Sequence, residues 1–540
     1  MKKTLKILAC QTNVTVGAIE ANAQKIKSII LNNQTAHDLI VFPELALTGY
    51  PPEDLLFRKT LHDRVEKALQ GIAKITQDCH VIVGHPLLLL LNEPASTKSL
   101  CFNAASIFYQ GQCVKRYRKQ HLPNQGVFDE KRYFIPGPPE PCLFTINKYQ
   151  LALCICEDIW QPGPVQQAIT GGTDILLCIN ASPYDYKKQN QRLALLKEHA
   201  QKGLTIIYVN LVGGQDDLVF DGQSIAIDQS GKICARLPAF IETNDTITIT
   251  EQKVTGPIAP SPREEENIYN ALVLGTRDYV TKHGISGVLL GLSGGIDSAL
   301  TLAIAVDALG ANRVHAVTMP SRYTAAISIE DATKQAKIMN VSCTTLSIEP
   351  TFEALLGTLS ESFKGLPADI TEENCQARIR GVLLMALSNK TGNLVLTTSN
   401  KSESAVGYAT LYGDMAGGFS VLKDVLKTQV YQLALYRNSL SPVIPLRVIE
   451  RAPSAELAEN QTDQDSLPPY PILDAIIEAY VENKLDAAAI IAKGFDAEVV
   501  QKAISLIKKN EFKRRQAAPG PKISPSAFTR DWRYPLTNKF

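Results

Sequence analysis

The chain has 540 residues, enough for at least two domains that each bury a core of their own. Its 55 basic and 54 acidic residues leave a formal net charge of +1, which excludes binding to nucleic acid or an acidic membrane through overall charge. Apolar residues make up 45% of the sequence, as is typical of globular proteins. Partners are therefore expected at local sites.

The eleven cysteines have no regular spacing, and their odd number predicts reduced thiols in a cytoplasmic protein. The basic start of the chain resembles that of a signal peptide, but Lys6 interrupts an apolar run that is already too short. The apolar block 87–91 is also far below the roughly 18 residues that span a bilayer. We therefore predict a cytoplasmic chain without a membrane segment.

Strand-like and helical segments alternate through the first half, which predicts an α/β fold. The predicted strands are 5–11, 38–44, 80–91, 102–108, 150–156, 175–180 and 205–210, and the predicted helices are 19–31 and 62–76. Three prolines then occur within residues 255–263, as is typical of a linker. The sequence thus predicts an N-terminal domain over 1–254, a linker over 255–263 and a C-terminal domain over 264–540.

The second half alternates in a βαβαβ order, which predicts a parallel, doubly wound sheet. The predicted helices are 264–282, 297–309 and 376–388, and the predicted strands are 287–292, 313–319, 341–348 and 394–397. A further helix is expected to open at Ser328, with Asp331 completing a capping box.

A glycine-rich segment, Gly-Leu-Ser-Gly-Gly-Ile-Asp-Ser, lies between the strand 287–292 and the helix that follows. Its adjacent glycines allow backbone N–H groups to approach an anion at the helix N-terminus. It is neither a Walker loop nor a GxGxxG loop, and a plain turn is the alternative. The motif S-G-G-x-D-S resembles the pyrophosphate loop of the N-type ATP pyrophosphatases. This resemblance implies ATP and Mg²⁺ as cofactors, with these residues binding ATP: Gly291, Leu292, Ser293, Gly294, Gly295, Ile296, Asp297 and Ser298.

Longer motifs follow: Leu-Thr-Thr-Ser-Asn-Lys-Ser-Glu at 396–403, Gly-Tyr-Ala-Thr-Leu-Tyr-Gly-Asp at 407–414 and Asn-Cys-Gln-Ala-Arg-Ile-Arg at 374–380. With 319–324 and 451–456, they resemble the NAD synthetase family. The resemblance implies ATP contacts from Thr398, Lys427 and Ser454, deamido-NAD contacts from Asn374, Glu403 and Lys513, and Mg²⁺ ligation by Asp297 and Glu403. The alternative role of Asp297 is that of a helix cap. The basic run 508–515 could instead be a solvated helix face or a nucleic-acid patch, and the near-neutral net charge disfavours the nucleic-acid patch.

In the first half, polar residues end three strand-like runs, at 41–50, 117–124 and 153–160. These segments resemble the nitrilase superfamily, which implies an αββα sandwich. The resemblance makes Glu44 the general base, Lys119 the cation that stabilises the oxyanion and Cys156 the nucleophile. Cys154 would share a strand face with Cys156, so the choice between them depends on the resemblance alone. Taken singly, either cysteine would be an ordinary buried residue.

The same resemblance implies that Ser182 and Lys188 bind glutamine and that Glu130 is a supporting acid. Gln125 stands where the family usually has tyrosine, so its contact with glutamine is a weaker expectation.

The joined halves resemble the glutamine-dependent members of the NAD synthetase family. This implies small-molecule substrates, ammonia passed internally from a glutaminase site to an adenylating site, and a homo-oligomer without nucleic-acid or membrane partners. A related amidotransferase or thiolating enzyme would share S-G-G-x-D-S but not the motifs at 401–403 and 412–414. A catalytically dead nucleotide sensor would have lost part of the triad or of the loop.

Overall fold

The computed structural model describes residues 4–88, 101–251, 253–459 and 461–539. It divides into two compact units, one of Met1–Gln215 and Val219–Pro262 and the other of Asp216–Leu218 and Arg263–Phe540. The predicted domain limits at 254 and 264 and the linker between them stay a prediction. Within the described ranges, no helix is long and apolar enough to cross a membrane. All eleven cysteines are free thiols.

Within its described residues, the first unit contains fifteen strands and five α-helices. The strands are β1 (Leu5–Gln11), β2 (Leu39–Val41), β3 (His80–Leu88), β4 (Cys101–Tyr109), β5 (Gln112–Arg118), β6 (Cys142–Ile146), β7 (Tyr149–Ile155), β8 (Ile175–Asn180), β9 (Thr205–Asn210), β10 (Val212–Gln215), β11 (Leu218–Asp221), β12 (Ile225–Ile227), β13 (Ile233–Arg236), β14 (Thr243–Ile249) and β15 (Val254–Thr255). The helices are α1 (Ile19–Asn33), α2 (Lys59–Ala73), α3 (Glu130–Tyr133), α4 (Pro162–Thr170) and α5 (Lys188–Ala200).

Two sheets of this unit share one hydrophobic core. Their strand orders are β15-β14-β1-β2-β3-β4-β5 and β13-β12-β9-β8-β7-β6, and the central strands of each sheet are parallel. Alternate residues such as Ile7 and Val41 in one sheet and Leu153 and Leu177 in the other belong to the same buried cluster. The predicted αββα sandwich is confirmed. The last three residues of the strand predicted over 80–91 lie outside the described residues.

In the part of the second unit that the structure describes, a small sheet is combined with twelve α-helices. Its strands are β16 (Val288–Gly291), β17 (Val314–Thr318), β18 (Ser342–Thr345), β19 (Leu394–Thr397) and β20 (Phe419–Ser420). Its helices are α6 (Glu264–Lys282), α7 (Ile296–Leu309), α8 (Ala326–Ile338), α9 (Glu349–Leu359), α10 (Ile370–Thr391), α11 (Lys401–Val406), α12 (Lys427–Leu440), α13 (Leu446–Glu450), α14 (Tyr470–Ile477), α15 (Ala487–Ile491), α16 (Ala497–Lys509) and α17 (Glu511–Arg514).

The sheet of the second unit has the order β18-β17-β16-β19-β20, and its strands are all parallel. The chain leaves β16 toward one edge and later returns to β19 on the other side, so the strand order reverses between these two neighbours. Crevices at such switch points, outside the carboxyl ends of the strands, are where α/β sheets bind ligands. The predicted Rossmann-like fold is confirmed, and its switch point lies where the loop after β16 faces the loop after β19.

One local prediction in this unit is wrong. Helix α8 begins at Ala326, two residues before the predicted cap, and Ser328 lies inside the helix. The Ser328 hydroxyl donates to Glu456 Oε1 at 2.7 Å instead of capping backbone. The Asp331 carboxylate accepts from Arg447 Nε at 2.8 Å. Tertiary partners thus use both side chains of the apparent capping box.

Candidate active sites

A buried lysine connects two carboxylates in the first unit. Lys119 directly follows β5, and its Nζ donates to Glu44 Oε1 at 2.7 Å and to Glu130 Oε1 at 2.8 Å. The side chains of Lys119 and Glu44 are 0% exposed, and that of Glu130 is 5% exposed. Burial acts to lower the pKa of Lys119, but the two carboxylates outweigh it and raise that pKa well above its ordinary value. The lysine therefore stays cationic.

The two carboxylates differ in their other partners. Glu44 also accepts from Asn103 Nδ2 at 2.7 Å and from the backbone N–H of Ala181 at 2.8 Å, which fixes the orientation of its carboxylate. Glu130 accepts from the Tyr50 hydroxyl at 2.9 Å. Burial raises the pKa of Glu130 to about 7, although the Lys119 ammonium opposes that rise. One ammonium faces two adjacent carboxylates, so Glu130 releases its proton at a higher pH than an exposed glutamate does.

Cys156 stands at the point where β7 turns into a 3-10 helix. The strand ends at Ile155, and Cys156 adopts a left-handed backbone conformation with φ of 46°. This departure ends the period-two alternation, so Cys156 does not continue the face that Cys154 occupies beside Cys178 of β8. Burial raises the pKa of the Cys156 thiol, the Glu44 carboxylate raises it further, and the Lys119 ammonium lowers it.

The structure therefore brings Cys156 to the lysine and carboxylate cluster. The raised pKa disfavours the thiolate, so a nucleophilic thiolate needs a base, and Glu44 is the carboxylate whose charge acts most strongly on the thiol. A cysteine, a base and a fixed cation constitute the set that acyl transfer through a thioester requires. Asn103 could not be identified as a site residue from the sequence. It is an ordinary residue of β4, and no motif around it indicates its bond to Glu44.

The three expected glutamine contacts have different surroundings. Lys188 begins α5, and its Nζ lies 4.4 Å from the centroid of the Trp160 ring. Burial lowers the pKa of Lys188, the nearby Arg192 lowers it further, and a Cys156 thiolate would raise it. Ser182 is buried, and its hydroxyl accepts from Arg192 at 3.2 Å. Gln125 is exposed, in the turn between Lys119 and Glu130.

The second unit contains a cavity of about 530 Å³ at the switch point of its sheet. All the predicted nucleotide-site residues line it: Gly291, Leu292, Ser293, Gly294, Gly295, Ile296, Asp297, Ser298, Asn374, Thr398, Glu403, Lys427, Ser454 and Lys513. Such a volume is within the range of small-molecule and cofactor sites. The structure thus brings together residues that the sequence spreads over more than two hundred positions.

The glycine-rich loop turns tightly between β16 and α7. Gly294 has φ of 85°, and a Cβ there would lie 2.3 Å from the carbonyl oxygen of Ser328, so only glycine fits without strain. The Ser298 hydroxyl accepts from the Ser293 N–H at 3.2 Å and donates to the Gly295 carbonyl at 2.9 Å. These bonds hold the loop around the N-terminus of α7, where backbone N–H groups favour an anion.

A second lysine lies between two carboxylates beside this loop. Lys427 Nζ donates to Asp297 Oδ2 at 2.5 Å and to Glu403 Oε1 at 3.2 Å. Asn400 donates from its Nδ2 to both carboxylates at 2.8 Å. Burial raises the pKa of Glu403 to about 8 against the effect of Lys427, and Asp297 adds to that rise. The cluster is electrostatically prepared for a further cation.

Asn400 is a further site residue, and its spacing from Glu403 is a signal that the sequence carries. Asn400 caps α11, because its Oδ1 accepts from the Glu403 N–H at 2.9 Å. In turn, Glu403 Oε2 accepts from the Asn400 N–H at 3.4 Å. The spacing Asn-x-x-Glu is that of a capping box. Its recognition would have placed Glu403 in the first turn of a helix, at the carboxyl end of β19.

The candidate dinucleotide residues border the segment 407–410 of the cavity wall. Lys513 Nζ donates to the carbonyls of Gly407 and Ala409, each at 2.8 Å, and burial lowers its pKa. Asn374 accepts from the Thr410 hydroxyl at 2.9 Å. Both side chains therefore hold the wall of the cavity that they line.

Comparison with known proteins defines the class of both units. The carbon-nitrogen hydrolase family matches residues 6–255, and the NAD synthase family matches residues 268–517. The chain is therefore a carbon-nitrogen hydrolase domain joined to an NAD synthase domain, with one candidate active site in each.

Full-length relatives share this arrangement. The glutamine-dependent NAD(+) synthetase of Acinetobacter baylyi is 49% identical over 99% of both chains, and that of Xylella fastidiosa strain 9a5c is 46% identical over 100% of both. The solved glutamine-dependent NAD+ synthetase of Acinetobacter baumannii, in complex with ADP, is 47% identical, with a TM-score of 0.80 and coverage of 99% of each chain. The chain belongs to the family of glutamine-dependent NAD(+) synthetases.

Proposed function

We propose that the protein makes NAD+ from deamido-NAD+, ATP and L-glutamine, with release of AMP, diphosphate and L-glutamate. The observation that carries this proposal is the combination, in one chain, of a buried Glu44, Lys119 and Cys156 cluster with the glycine-rich loop Gly291–Ser298, which lines a cavity of about 530 Å³. The enzyme is a carbon-nitrogen ligase that draws its nitrogen from an amide.

In the first unit, Glu44 takes the proton of the Cys156 thiol, and the sulfur attacks the side-chain carbonyl carbon of glutamine. Lys119 stabilises the negative oxygen that develops, since it is a fixed cation held at 2.7 Å from Glu44. The C–N bond breaks, ammonia leaves with the proton from Glu44, and a thioester remains. Water then hydrolyses the thioester to glutamate. Ser182, Lys188 and Gln125 are the proposed glutamine contacts.

In the second unit, the nicotinate carboxylate of deamido-NAD+ attacks the α-phosphorus of ATP, diphosphate leaves, and an acyl-adenylate forms. The loop Gly291–Ser298 binds the phosphates together with Thr398, Lys427 and Ser454. Asn374, Glu403 and Lys513 contact the dinucleotide. Ammonia displaces AMP from the acyl carbon to give the amide. No histidine follows His315 in the sequence, and this route needs none.

Asp297 and Glu403 are the proposed ligands of Mg²⁺. The donor set fits, because two carboxylates converge beside the phosphate loop and Mg²⁺ prefers one or two carboxylates with phosphate oxygens. When bound, the cation neutralises charge on the diphosphate that leaves. Lys427 contacts both carboxylates and orients them toward the cavity.

The test is Cys156→Ala in the full chain, with Cys154→Ala as the matched control two residues away. We expect Cys156→Ala to abolish glutamine-supported NAD+ synthesis and leave ammonium-supported synthesis intact. Cys154→Ala should retain both activities. Loss of both activities in a folded Cys156→Ala protein, or full glutamine-supported activity, would contradict the proposal.

We further propose a cytoplasmic homo-oligomer with a hydrolase domain over 1–254, a linker over 255–263 and a synthetase domain over 264–540. Only small molecules are proposed as substrates. The free cysteines support the cytoplasmic location, and the near-neutral net charge supports the restriction to small-molecule substrates. Light scattering of the purified chain measures the assembly.

A further inference from the structure

One buried carboxylate of the first unit has four hydrogen-bond donors, and none of the catalytic steps above uses it. Asp158 Oδ1 accepts from the backbone N–H groups of Gln120 at 3.0 Å and His121 at 2.9 Å. Its Oδ2 accepts from the Tyr117 hydroxyl at 2.8 Å and from the backbone N–H of Ile155 at 3.1 Å. The residue is 0% exposed. The Asp158 carboxylate therefore exchanges no hydrogen bond with solvent to compensate for a lost donor.

The four donors lie on either side of two proposed catalytic residues. Tyr117 is two positions before Lys119, and the N–H groups of residues 120 and 121 follow it directly. Ile155 immediately precedes Cys156, and Asp158 itself lies in the turn Cys156–Trp160. A single carboxylate thus fastens the backbone around the lysine to the backbone around the thiol.

We propose that Asp158 is a positioning residue that fixes the Cys156 thiol relative to the Lys119 ammonium and thereby sets the rate of thioester formation. The inference rests on the proposed function of the first unit. It names a residue that touches neither glutamine nor the reacting atoms.

The backbone of the turn explains why such a fastening is needed. Cys156 has φ of 46°, a conformation that persists in a non-glycine residue only where its surroundings over-determine it. The bond from the Ile155 N–H to Asp158 closes the turn from the side of the strand.

The lysine is held in a complementary way. Its own backbone N–H donates to the Asn103 carbonyl at 2.8 Å, and its carbonyl accepts from the Gly137 N–H at 2.8 Å. These bonds attach Lys119 to its own surroundings but not to the cysteine turn. Asp158 is bonded to both segments, so its loss should affect their relative position before it affects either one alone.

Asp158→Asn is the main test, because an amide is nearly isosteric but offers one acceptor oxygen instead of two. In one orientation its NH₂ group faces the N–H groups of Gln120 and His121, and in the other it faces the Ile155 N–H and the Tyr117 hydroxyl, so at least one backbone N–H loses its acceptor. In the full chain we expect kcat for glutamate release to fall by roughly 10²-fold with KM for glutamine changed by less than about threefold, since a small misplacement of reacting groups has effects of this size. Ammonium-supported NAD+ synthesis should be unchanged.

Asp38→Asn is the matched control. Asp38 also joins separate segments of the same unit, because it accepts from the Lys6 N–H at 2.8 Å and from Asn147 Nδ2 at 2.9 Å. It precedes β2, whereas Glu44 follows that strand. We expect Asp38→Asn to lower the thermal midpoint at most and to retain kcat for glutamate release.

Tyr117→Phe keeps the test decisive if Asp158→Asn does not fold, since it removes one of the four bonds and little volume. We expect a fall of about three- to tenfold in kcat without a change in KM. A folded Asp158→Asn protein with wild-type kcat would overturn the inference, as would an unchanged kcat in Tyr117→Phe or an equal fall in Asp38→Asn. If the wild-type chain releases no glutamate, the proposed function has failed instead.

Discussion

Both units place a lysine between two carboxylates, and the difference between the two clusters lies in their access to solvent. Lys119 lies between Glu44 and Glu130, whose side chains are 0% and 5% exposed. Lys427 lies between Asp297 and Glu403, whose side chains are 17% and 16% exposed beside a large cavity. With all groups ionised, each cluster would carry one uncompensated negative charge.

The two environments resolve that charge in different ways. In the cluster around Lys119 burial raises the pKa of Glu130 to about 7, so this carboxyl group binds a proton more readily than an exposed glutamate does. In the open cluster burial raises the pKa of Glu403 to about 8, and an incoming cation can take the place of that proton. The same arrangement of charges thus fits the proposed acyl transfer in one unit and the proposed binding of a metal-nucleotide complex in the other.

Replacing each lysine with methionine should give the largest measurable difference between the two clusters, in the free energy of unfolding. Lys119→Met leaves two carboxylates in a closed site and should lower the free energy of unfolding by about 3 to 5 kcal/mol. Lys427→Met should cost less, about 1 to 3 kcal/mol, because water reaches Asp297 and Glu403. Calorimetry of the full chain measures both.

The two lysine variants should also differ in which nitrogen donor still supports NAD+ synthesis. Lys119→Met should abolish only glutamine-supported synthesis, whereas Lys427→Met should abolish synthesis with either nitrogen donor. Equal destabilisation by the two substitutions would show that solvent access does not distinguish the clusters.

Much of this comparison was predictable from the sequence. Period-two runs and a βαβαβ order give the two α/β folds, because hydrophobic patterning reflects which face of each element is buried. The triad and the loop Gly291–Ser298 could be proposed because their motifs resemble those of two known families, and the choice of Cys156 over Cys154 depended on that resemblance alone. Their roles, with those of the other site residues, stay predictions that the experiments above test.

Other features depend on tertiary packing. The alternation of β7 predicts that Cys154 and Cys156 share a face, but a positive φ at Cys156 ends the strand one residue earlier. Ser328 and Asp331 have the spacing of a helix cap, yet Arg447 and Glu456 bind them from more than a hundred residues away. Local sequence does not encode such partners, because they meet only when distant segments pack.

A substitution at Gly294, in the loop beside the Lys427 cluster, should have the next largest effect. Gly294→Ala combines a φ of 85° with a Cβ 2.3 Å from the Ser328 carbonyl oxygen, so the loop must shift. We expect a loss of about 2 to 3 kcal/mol in stability and a KM for ATP raised by roughly tenfold or more. Glutamate release from the closed site should not change.

Gly295→Ala is the matched variant in the same loop. Its φ is −86°, and a Cβ there would lie 3.4 Å from the Ser293 hydroxyl, an ordinary contact. A clearly smaller rise in KM for ATP is expected, and an equal rise in both variants would rule out the backbone of Gly294 as the cause.

The smallest expected effect is a dependence of stability on pH that originates in the closed cluster. The pKa of Glu130 is about 7 in the folded chain against an ordinary 4.5, so the folded state holds a proton that the unfolded state releases between these values. A raised pKa contributes stability that is fully present below about pH 4.5 and is lost as the pH rises through 7.

Glu130→Gln removes this titration and keeps the shape of the side chain. The free energy of unfolding of the wild type should therefore fall relative to that of Glu130→Gln between pH 5 and pH 8, by on the order of 2 kcal/mol. Thermal midpoints of both proteins across this range provide the measurement. Parallel curves would show that Glu130 does not titrate between these pH values in the folded chain and would contradict the prediction.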